Sequence, residues 1–399
     1  MSENHYKWLG LYDDASAIST APATIARSVR MEDDAAFTDN AAPIQRRNTA
    51  GASRTHSPSL RGQQAATISC NAALAPAATA GVLPCIVDHM VPAGFKTAWL
   101  SVMVASAAVI AEAGDVISEA ASSPTKTGVV AFVSGKIIWY LPDAGTFAAS
   151  DPIFIEGVDT TKTVAAVTAQ GAVEVQLDSR STAKKQVVII RDGNIQDIRS
   201  AVPTYSFSAD QSTARIMQAV EYQGRIGTLI GAASDPEVTY PDAEDLQFAD
   251  AVTTIHRVTS ADTLSSSDPT NPLVVTAFGF NSGGDVQLRP DAAQSGGIRG
   301  ARVANRGDCQ LTMTIEELPF AAWNPFADKG GQQLVITSNI RNRAIIIGRG
   351  QLQEAQLAEA NGLNTVQLTF DLNDTHGNHD TEFRMILTSE DVAAAAEVL

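Results

Sequence analysis

Cysteine is scarce. Cys70, Cys85 and Cys309 are the only three, an odd number at spacings that fit no zinc or redox motif. That excludes a disulfide framework and points to reduced, structural thiols in a chain folded in a cytoplasm. Histidine is scarce too, with six in 399 residues, and charged residues make up only 18% of the chain. Basic residues fall short of acidic ones, 28 against 44, leaving a net charge of −16. This argues against a groove that grips nucleic acid by neutralising phosphates, because such binding needs a basic face. No run approaches the roughly 20 apolar residues of a membrane-spanning helix. The opening MSENHYKW has no basic segment leading into an apolar core, so neither signal peptide nor membrane anchor is expected.

What the chain has instead is Ala, Thr, Ser, Gly and Val in quantity, a texture common in β-rich chains that bury surface in assemblies. Its length allows two or three domains with cores of ordinary size. It also echoes itself. When GASRTHSPSLRGQQAAT (51–67) is laid on GGIRGARVANRGDCQLT (296–312), Gly51 meets Gly296 and Arg54 meets Arg299. Arg61 then meets Arg306, Gly62 meets Gly307 and Thr67 meets Thr312. Chance at common residue frequencies gives about one such identity. A second echo pairs VIIRDGNIQD (188–197) with IIIGRGQLQE (345–354) at a shorter spacing, through Ile189/Ile346, Ile190/Ile347, Gly193/Gly350 and Gln196/Gln353. One folding unit is therefore expected twice, with an extra block in the first copy.

Along the chain, the first 50 residues are polar and turn-rich and read as an arm or long loop. Gln64 to Asn71 and Leu311 to Glu317 alternate as strands. Each precedes an Ala/Pro-marked helix, expected over 76–90 and 319–328. Residues 96–182 contain β-rich runs broken at Ser134-Gly135, Pro142-Asp143 and Gly157, the punctuation of hairpins, and read as a small inserted β domain. Strands over 213–222 and 225–232 are expected to turn at Gln223-Gly224. Residues 234–291, with Pro236, Pro241, Pro269 and Pro272, read as mostly loop and short strands. Ser389 is expected to cap a terminal helix.

Catalysis needs convergent groups, and none can be assembled. His376 and His379 sit with Asp374, Asp380 and Glu382 in DTHGNHDTE, a set that could offer metal ligands. The glycine between the histidines instead favours a solvated loop between two strands, 365–372 and 383–388. His56 has no nucleophile motif around it, G-x-S-x-G and H-E-x-x-H are absent, and FGFNSGGD lacks the lysine of a phosphate loop. The expectation is no enzyme, no metal and no cofactor. The repeated arginines call for another reading. Arg54 and Arg61, like Arg299 and Arg306, precede a strand at one spacing, and guanidinium groups so placed can grip acidic partners by paired hydrogen bonds. With Gly62 and Gly307 they are candidate assembly contacts; the plainer alternative is a loop whose arginines are merely solvated.

The segment YKWLGLYDDASAISTAPATIARSV, the loop SRTHSPSLRGQQAATIS and the helix start LAPAATAGVLP together resemble the tail-tube (major tail) proteins of long-tailed bacteriophages. EYQGRIGTLIGAAS, TMTIEELPF and IIIGRGQLQEAQLAEANGLNTVQLTFDL are similar to the closing strands of that fold. The resemblance implies a mainly β chain. Two tandem β-sandwich or partial-barrel domains, each with a short helix, would span 1–95 with 183–209 and 210–399, and a small inserted β domain would span 96–182. It also implies a structural protein of the virion tail, made in the host cytoplasm. Its partners would be further copies of itself and other tail proteins. Three chains would supply six domains per ring, and DNA would pass through stacked rings without specific binding, with no membrane involved. A capsid cement or decoration protein, and a tail terminator or adaptor ring, are the alternatives.

Overall fold

The computed structural model describes residues 7–17, 19, 24–25, 35–40, 43–46, 57–75, 82–178, 183–191, 194–210, 214–227, 237–238, 245–258, 264, 272–294, 296–306, 309–319, 323–360, 362–373 and 381–388. The chain is mainly β. It opens with β1 (Lys7–Asp13), β2 (Thr24–Ile25), β3 (Ala36–Asp39), β4 (Pro43–Arg46), β5 (Ser57–Arg61) and β6 (Ala65–Ala73), then a one-turn helix α1 (Val87–Met90). Next come β7 (Phe95–Ala105), β8 (Val116–Ser118), β9 (Thr127–Ser134), β10 (Ile137–Ala144), β11 (Pro152–Ile155) and β12 (Val158–Leu177). They are followed by β13 (Lys185–Arg191), β14 (Asn194–Asp210), β15 (Met217–Ile226) and β16 (Glu237–Val238). The last part holds β17 (Ala251–Arg257), β18 (Val275–Asn281), β19 (Gly284–Pro290), β20 (Ile298–Arg306) and β21 (Gln310–Glu316). It closes with α2 (Pro325–Asp328), β22 (Gln333–Ile340), β23 (Ala344–Ala360), β24 (Leu363–Leu372) and β25 (Phe383–Thr388).

One order of antiparallel pairing occurs twice. β1 lies on β13, β13 on β14, β14 on β15, β15 on β6 and β6 on β3. In the same way β17 lies on β22, β22 on β23, β23 on β24, β24 on β21 and β21 on β18. Between β3 and β6 the chain makes the separate pair β4–β5, and between β18 and β21 the separate pair β19–β20. Residues 91–184 intervene between α1 and β13, whereas residues 329–332 suffice between α2 and β22.

β14 and β23 are the hinges of this arrangement. Each runs 17 residues and changes neighbours midway, the first half pairing with β13 or β22 and the second half lacking that partner. Each has a register shift near the change, between Arg199 and Val202 and between Leu352 and Glu354. An extra residue bends a strand, which lets it pass from one layer of a sandwich to the other. Apolar side chains of the two layers share one core, with Tyr205, Phe207, Phe280 and Leu311 from one and Leu9, Val187, Ile255 and Leu334 from the other. α1 adds Val87 and Met90 to it.

The surplus block hangs on a stem. Phe95–Leu100 of β7 pairs with Ala172–Leu177 of β12, and Ala172–Gln176 pairs in turn with β25, which lies along β23. Beyond the stem, Met103, Ile117, Val130, Ile138, Tyr140, Phe147 and Ile153 make an apolar cluster of their own. A third cluster joins Leu100, Val102, Ala131, Ile137 and Trp139 to Ile345, Ile347 and Ile386. Residue 96, the start read from the sequence for the inserted block, falls inside β7, a strand shared with the main sheet.

Local expectations are corrected in places. The first 50 residues include β1 and β3, because Leu9 is buried and Leu11 and Phe37 pack on the core. Gln223-Gly224 is no turn, since β15 runs through it. A Cβ on Gly224 would lie 2.8 Å from the Arg199 carbonyl oxygen, so glycine there admits the bulge of β14. The helices are single turns. α2 starts at Pro325, where Asn324 Oδ1 accepts from the N–H groups of Phe326 and Ala327 at 3.1 and 3.3 Å, and Gly330 at φ +68° follows its end. The stretch 234–291 carries β16, β17, β18 and β19, and alternating Phe278 and Phe280 bury one face of β18. β24 and β25 do not form a hairpin; both lie antiparallel to β23 along one edge. The second echo matches unlike places, the end of β13 and start of β14 against the interior of β23. Residues 374–380, with His376 and His379, and the expected helix after Ser389 lie outside the described residues, as do residues 76–81 and 320–322.

Candidate functional site

Eight strands form one continuous antiparallel layer in the order β3, β6, β15, β14, β18, β21, β24, β23. The first four come from one run of the repeated pairing order and the last four from the other. They are joined where Ser206–Asp210 of β14 pairs with Ala277–Asn281 of β18. Aromatic rings fill that junction from the core side. Phe207 stacks on Phe278 and Phe280 with centroids 5.9 and 5.2 Å away, and Phe280 stacks on Phe383 at 3.9 Å. Ring pairs of this kind contribute about 0.5–1.5 kcal/mol each beyond their buried area.

The opposite face of the layer is polar and nearly free of cations. Strand alternation aims Thr67, Ser69 and Asn71 of β6, Glu221 and Gln223 of β15, and Thr204, Ser206 and Ser208 of β14 away from the core. From the other half it aims Gln310, Thr312, Thr314 and Glu316 of β21, Gln367, Thr369 and Asp371 of β24, and Glu354 and Gln356 of β23. Short hydrogen-bonded pairs tie neighbours together: Asn40 Nδ2 donates to Thr67 Oγ1 at 2.8 Å and Gln310 Nε2 to Asp371 Oδ1 at 3.2 Å. Two arginines meet at one end of these rows, Arg225 of β15 and Arg199 opposite it on β14; Arg225 donates to Gln294 Oε1 at 3.3 Å and Arg199 Nε to Asp197 Oδ2 at 3.1 Å.

The arginines expected at assembly contacts fall on two separate hairpins. Arg61 closes β5 opposite Pro43, and Arg306 closes β20 opposite Gly284; each strand then leads into the eight-stranded layer. Gly62 follows Arg61 directly, and Arg54 and Gly307 lie outside the described residues. Arg299 is exposed on β20. The β19–β20 hairpin folds over the lower end of β14 and β15, where the Gln64 N–H donates to the Gly296 carbonyl at 2.9 Å. Gly300, at φ +143°, passes so close that a Cβ there would sit 2.4 Å from Ser200 Cβ. Burial holds the nearby Lys184 ammonium below its ordinary range, with Arg289 and Arg299 adding to that and Asp14 opposing it. Arg61 and Arg306 thus stand alike at the ends of like hairpins.

The sequence reading missed the strands that begin the layer in each half. AFTDN (36–40) and AFGFN (277–281) share Ala36/Ala277, Phe37/Phe278 and Asn40/Asn281, and Phe37 stands opposite Ile68 as Phe278 stands opposite Met313. That echo was present in the chain and could have been found beside the arginine loops.

A cleft of about 440 Å³ between the module and the second half is lined by Glu112, Val129, Glu174, Ile347, Arg349 and Arg384, of which Arg384 and Glu174 form an ion pair. His89 is buried and its Nδ1 lies 2.7 Å from the Tyr222 hydroxyl. Among the described residues no group of three His, Cys, Asp or Glu side chains could hold a metal ion, and no helix is long and apolar enough to cross a membrane. All three cysteines are buried thiols, not disulfides. No protein-family model matches the chain, and no curated protein matches it either.

Proposed function

We propose that this chain is the building block of the tail tube of a long-tailed bacteriophage, its two like halves standing as two tube domains in a ring of three chains. The observation that carries the reading is the eight-stranded layer, four strands from each half, with a core on one face and hydroxyl, amide and carboxylate groups on the other. Such a face suits the wall of a DNA conduit. It offers phosphates almost no cation to bind, and the net charge of −16 adds a general repulsion that keeps DNA moving. The module on the β7–β12 stem is rooted in the other layer, so it would decorate the outside of the ring. The resemblance in the N-terminal and closing segments supports the same assignment.

Negative-stain images and light scattering of the purified protein test it. Tubes, or trimeric rings with an open centre, are the expected result. Single rings that never stack would move the protein to a terminator or adaptor role. Monomers that bind only to a capsid shell would replace the tube reading with a decoration protein.

A further inference from the structure

We infer that Lys184, Arg289 and Arg299 form a phosphate-binding cluster at one end of the eight-stranded layer, where each chain touches the backbone of DNA at a few points without reading its sequence. The choice of DNA as the source of the phosphates rests on the tube reading. The cluster itself is argued from backbone geometry and charge.

A series of contacts brings the three residues together. Arg289 stands directly opposite Gly300 across the β19–β20 hairpin, and Arg299 precedes Gly300 on β20. Gly300 lies against Ser200, which sits in the register shift of β14 and takes φ +47°, a left-handed conformation. Asp14 fixes Ser200 there, since the Ser200 N–H and hydroxyl donate to the two Asp14 carboxylate oxygens, each at 2.7 Å. The Asp14 N–H in turn donates to the Lys184 carbonyl at 3.3 Å. The start of β13 and the hairpin, distant in sequence, thereby deliver three cations to one place.

Charge sets the cluster apart. The chain has 44 acidic residues, yet among the described residues no ion pair or hydrogen bond holds the side chain of Lys184, Arg289 or Arg299. The Asp14 carboxylate beside them is bonded to Ser200. Mutual repulsion registers in the Lys184 ammonium, which burial first and then Arg289 and Arg299 hold below its ordinary range, against the pull of Asp14. An anion among the three relieves that repulsion. Guanidinium forks grip phosphate oxygens in pairs, and an ammonium adds a point charge.

Position favours DNA over an acidic protein surface. Arg225, in the outward phase of β15 with Glu221 and Gln223, donates to Gln294 between β19 and β20, so the hairpin rests on the polar side of the layer. The rows of that face carry hydroxyls, amides and carboxylates, and the cations collect at one end of them, beside Arg199 and Arg225. DNA running along the face would pass over the acidic rows and meet the cluster once per chain.

The test is fluorescence anisotropy of a short labelled DNA duplex with the full chain, repeated over a range of salt. Log affinity falls with log salt at a slope of about −0.9 per phosphate neutralised, so three contacts predict binding about 40-fold weaker at about 200 mM than at about 50 mM salt. Lys184→Gln, Arg289→Gln and Arg299→Gln are each expected to reduce the slope by about one and the triple variant to abolish binding, with circular dichroism unchanged. Lys162→Gln, on the module, removes the same charge elsewhere and should leave the slope as it is. No binding by the wild type at low salt, or undiminished binding by the triple variant, would overturn the cluster. Binding of inorganic phosphate without DNA, or capture of polyglutamate in preference to DNA through the same three residues, would overturn DNA as the occupant. Rings or tubes that bind no DNA would sink this inference and leave the tube reading standing, whereas DNA binding through these residues by a chain that never assembles would do the reverse.

Discussion

The indole Nε1–H of Trp139 donates to Thr388 Oγ1 at 2.8 Å, with both residues buried. One lies on β10 of the module and the other ends β25, the last described strand, so the bond ties the surplus block to the chain's far end. The Arg384–Glu174 ion pair does the same from β25 to β12. Cutting out residues 96–182 would strip β25 of its partner β12 and uncover Ile345, Ile347 and Ile386, and it is expected to give insoluble protein. Replacing only 107–162 with a short turn keeps the stem and should give a soluble chain. Trp139→Ala is expected to cost about 3–5 kcal/mol, read from denaturant unfolding. A fully stable 96–182 deletion would show that the stem contributes nothing to the main sheet.

Acid sensitivity should trace in part to His89. Burial, with the neighbouring Lys185 charge adding to it, lowers its pKa from the ordinary 6.5 to about 3. Between pH 6.5 and 3 the unfolded chain takes up a proton there that the folded chain refuses, so stability falls as pH drops through that window. The slope from this one group is about 1.4 kcal/mol per pH unit. His89→Gln keeps a polar partner near the Tyr222 hydroxyl, and it should flatten the slope over the same range at some cost in stability at pH 7. Urea titrations at several pH values measure both. An unaltered slope in His89→Gln would assign the acid sensitivity to other groups.

Individual strands were more legible than their neighbours. Alternation placed β6 and β21 almost to the residue, because half-buried strands write their burial into the chain with period two. Gly224 misled for a physical reason: a glycine that admits a bulging neighbour looks in sequence like a glycine that turns the chain. The second echo misled because β-branched runs recur wherever a strand is buried on both faces, and Ile189 and Ile346 meet that demand on different strands. The polar face of the eight-stranded layer left little trace, since serine, threonine and glutamine at alternating positions read equally well as any solvated sheet. Only the pairing of β14 with β18 shows that the two halves share one layer.

Gly300 fixes where the β19–β20 hairpin rests. Its positive φ is a region other residues avoid, and Ser200 fills the space a side chain would need. Gly300→Ala is therefore expected to lift the hairpin off β14, at a cost on the order of 1–3 kcal/mol. Limited proteolysis should then cut within 284–306 faster than in the wild type, while the rest of the chain keeps its melting transition to within a few degrees. Unchanged cleavage in Gly300→Ala would mean that the hairpin is held by other contacts.

Charge reversal at the paired arginines probes the polar side of assembly. Arg61 and Arg306 end β5 and β20 at the same step before the layer begins, and in a chain with 44 acidic and 28 basic residues a neighbour's surface offers more carboxylates than cations. Replacing both with Glu should leave the monomer folded, since each lies at the end of a hairpin outside the main sheet, while turning attraction between copies into repulsion. Sedimentation and negative-stain images are expected to show monomers where the wild type gives rings or tubes. Wild-type assembly should itself weaken as salt rises toward 1 M, where screening shortens to about 3 Å. Arg61→Lys with Arg306→Lys keeps the charge but loses the paired hydrogen bonds, so it should assemble at higher protein concentration. Normal tubes from the double Glu variant would remove the arginines from the assembly contacts.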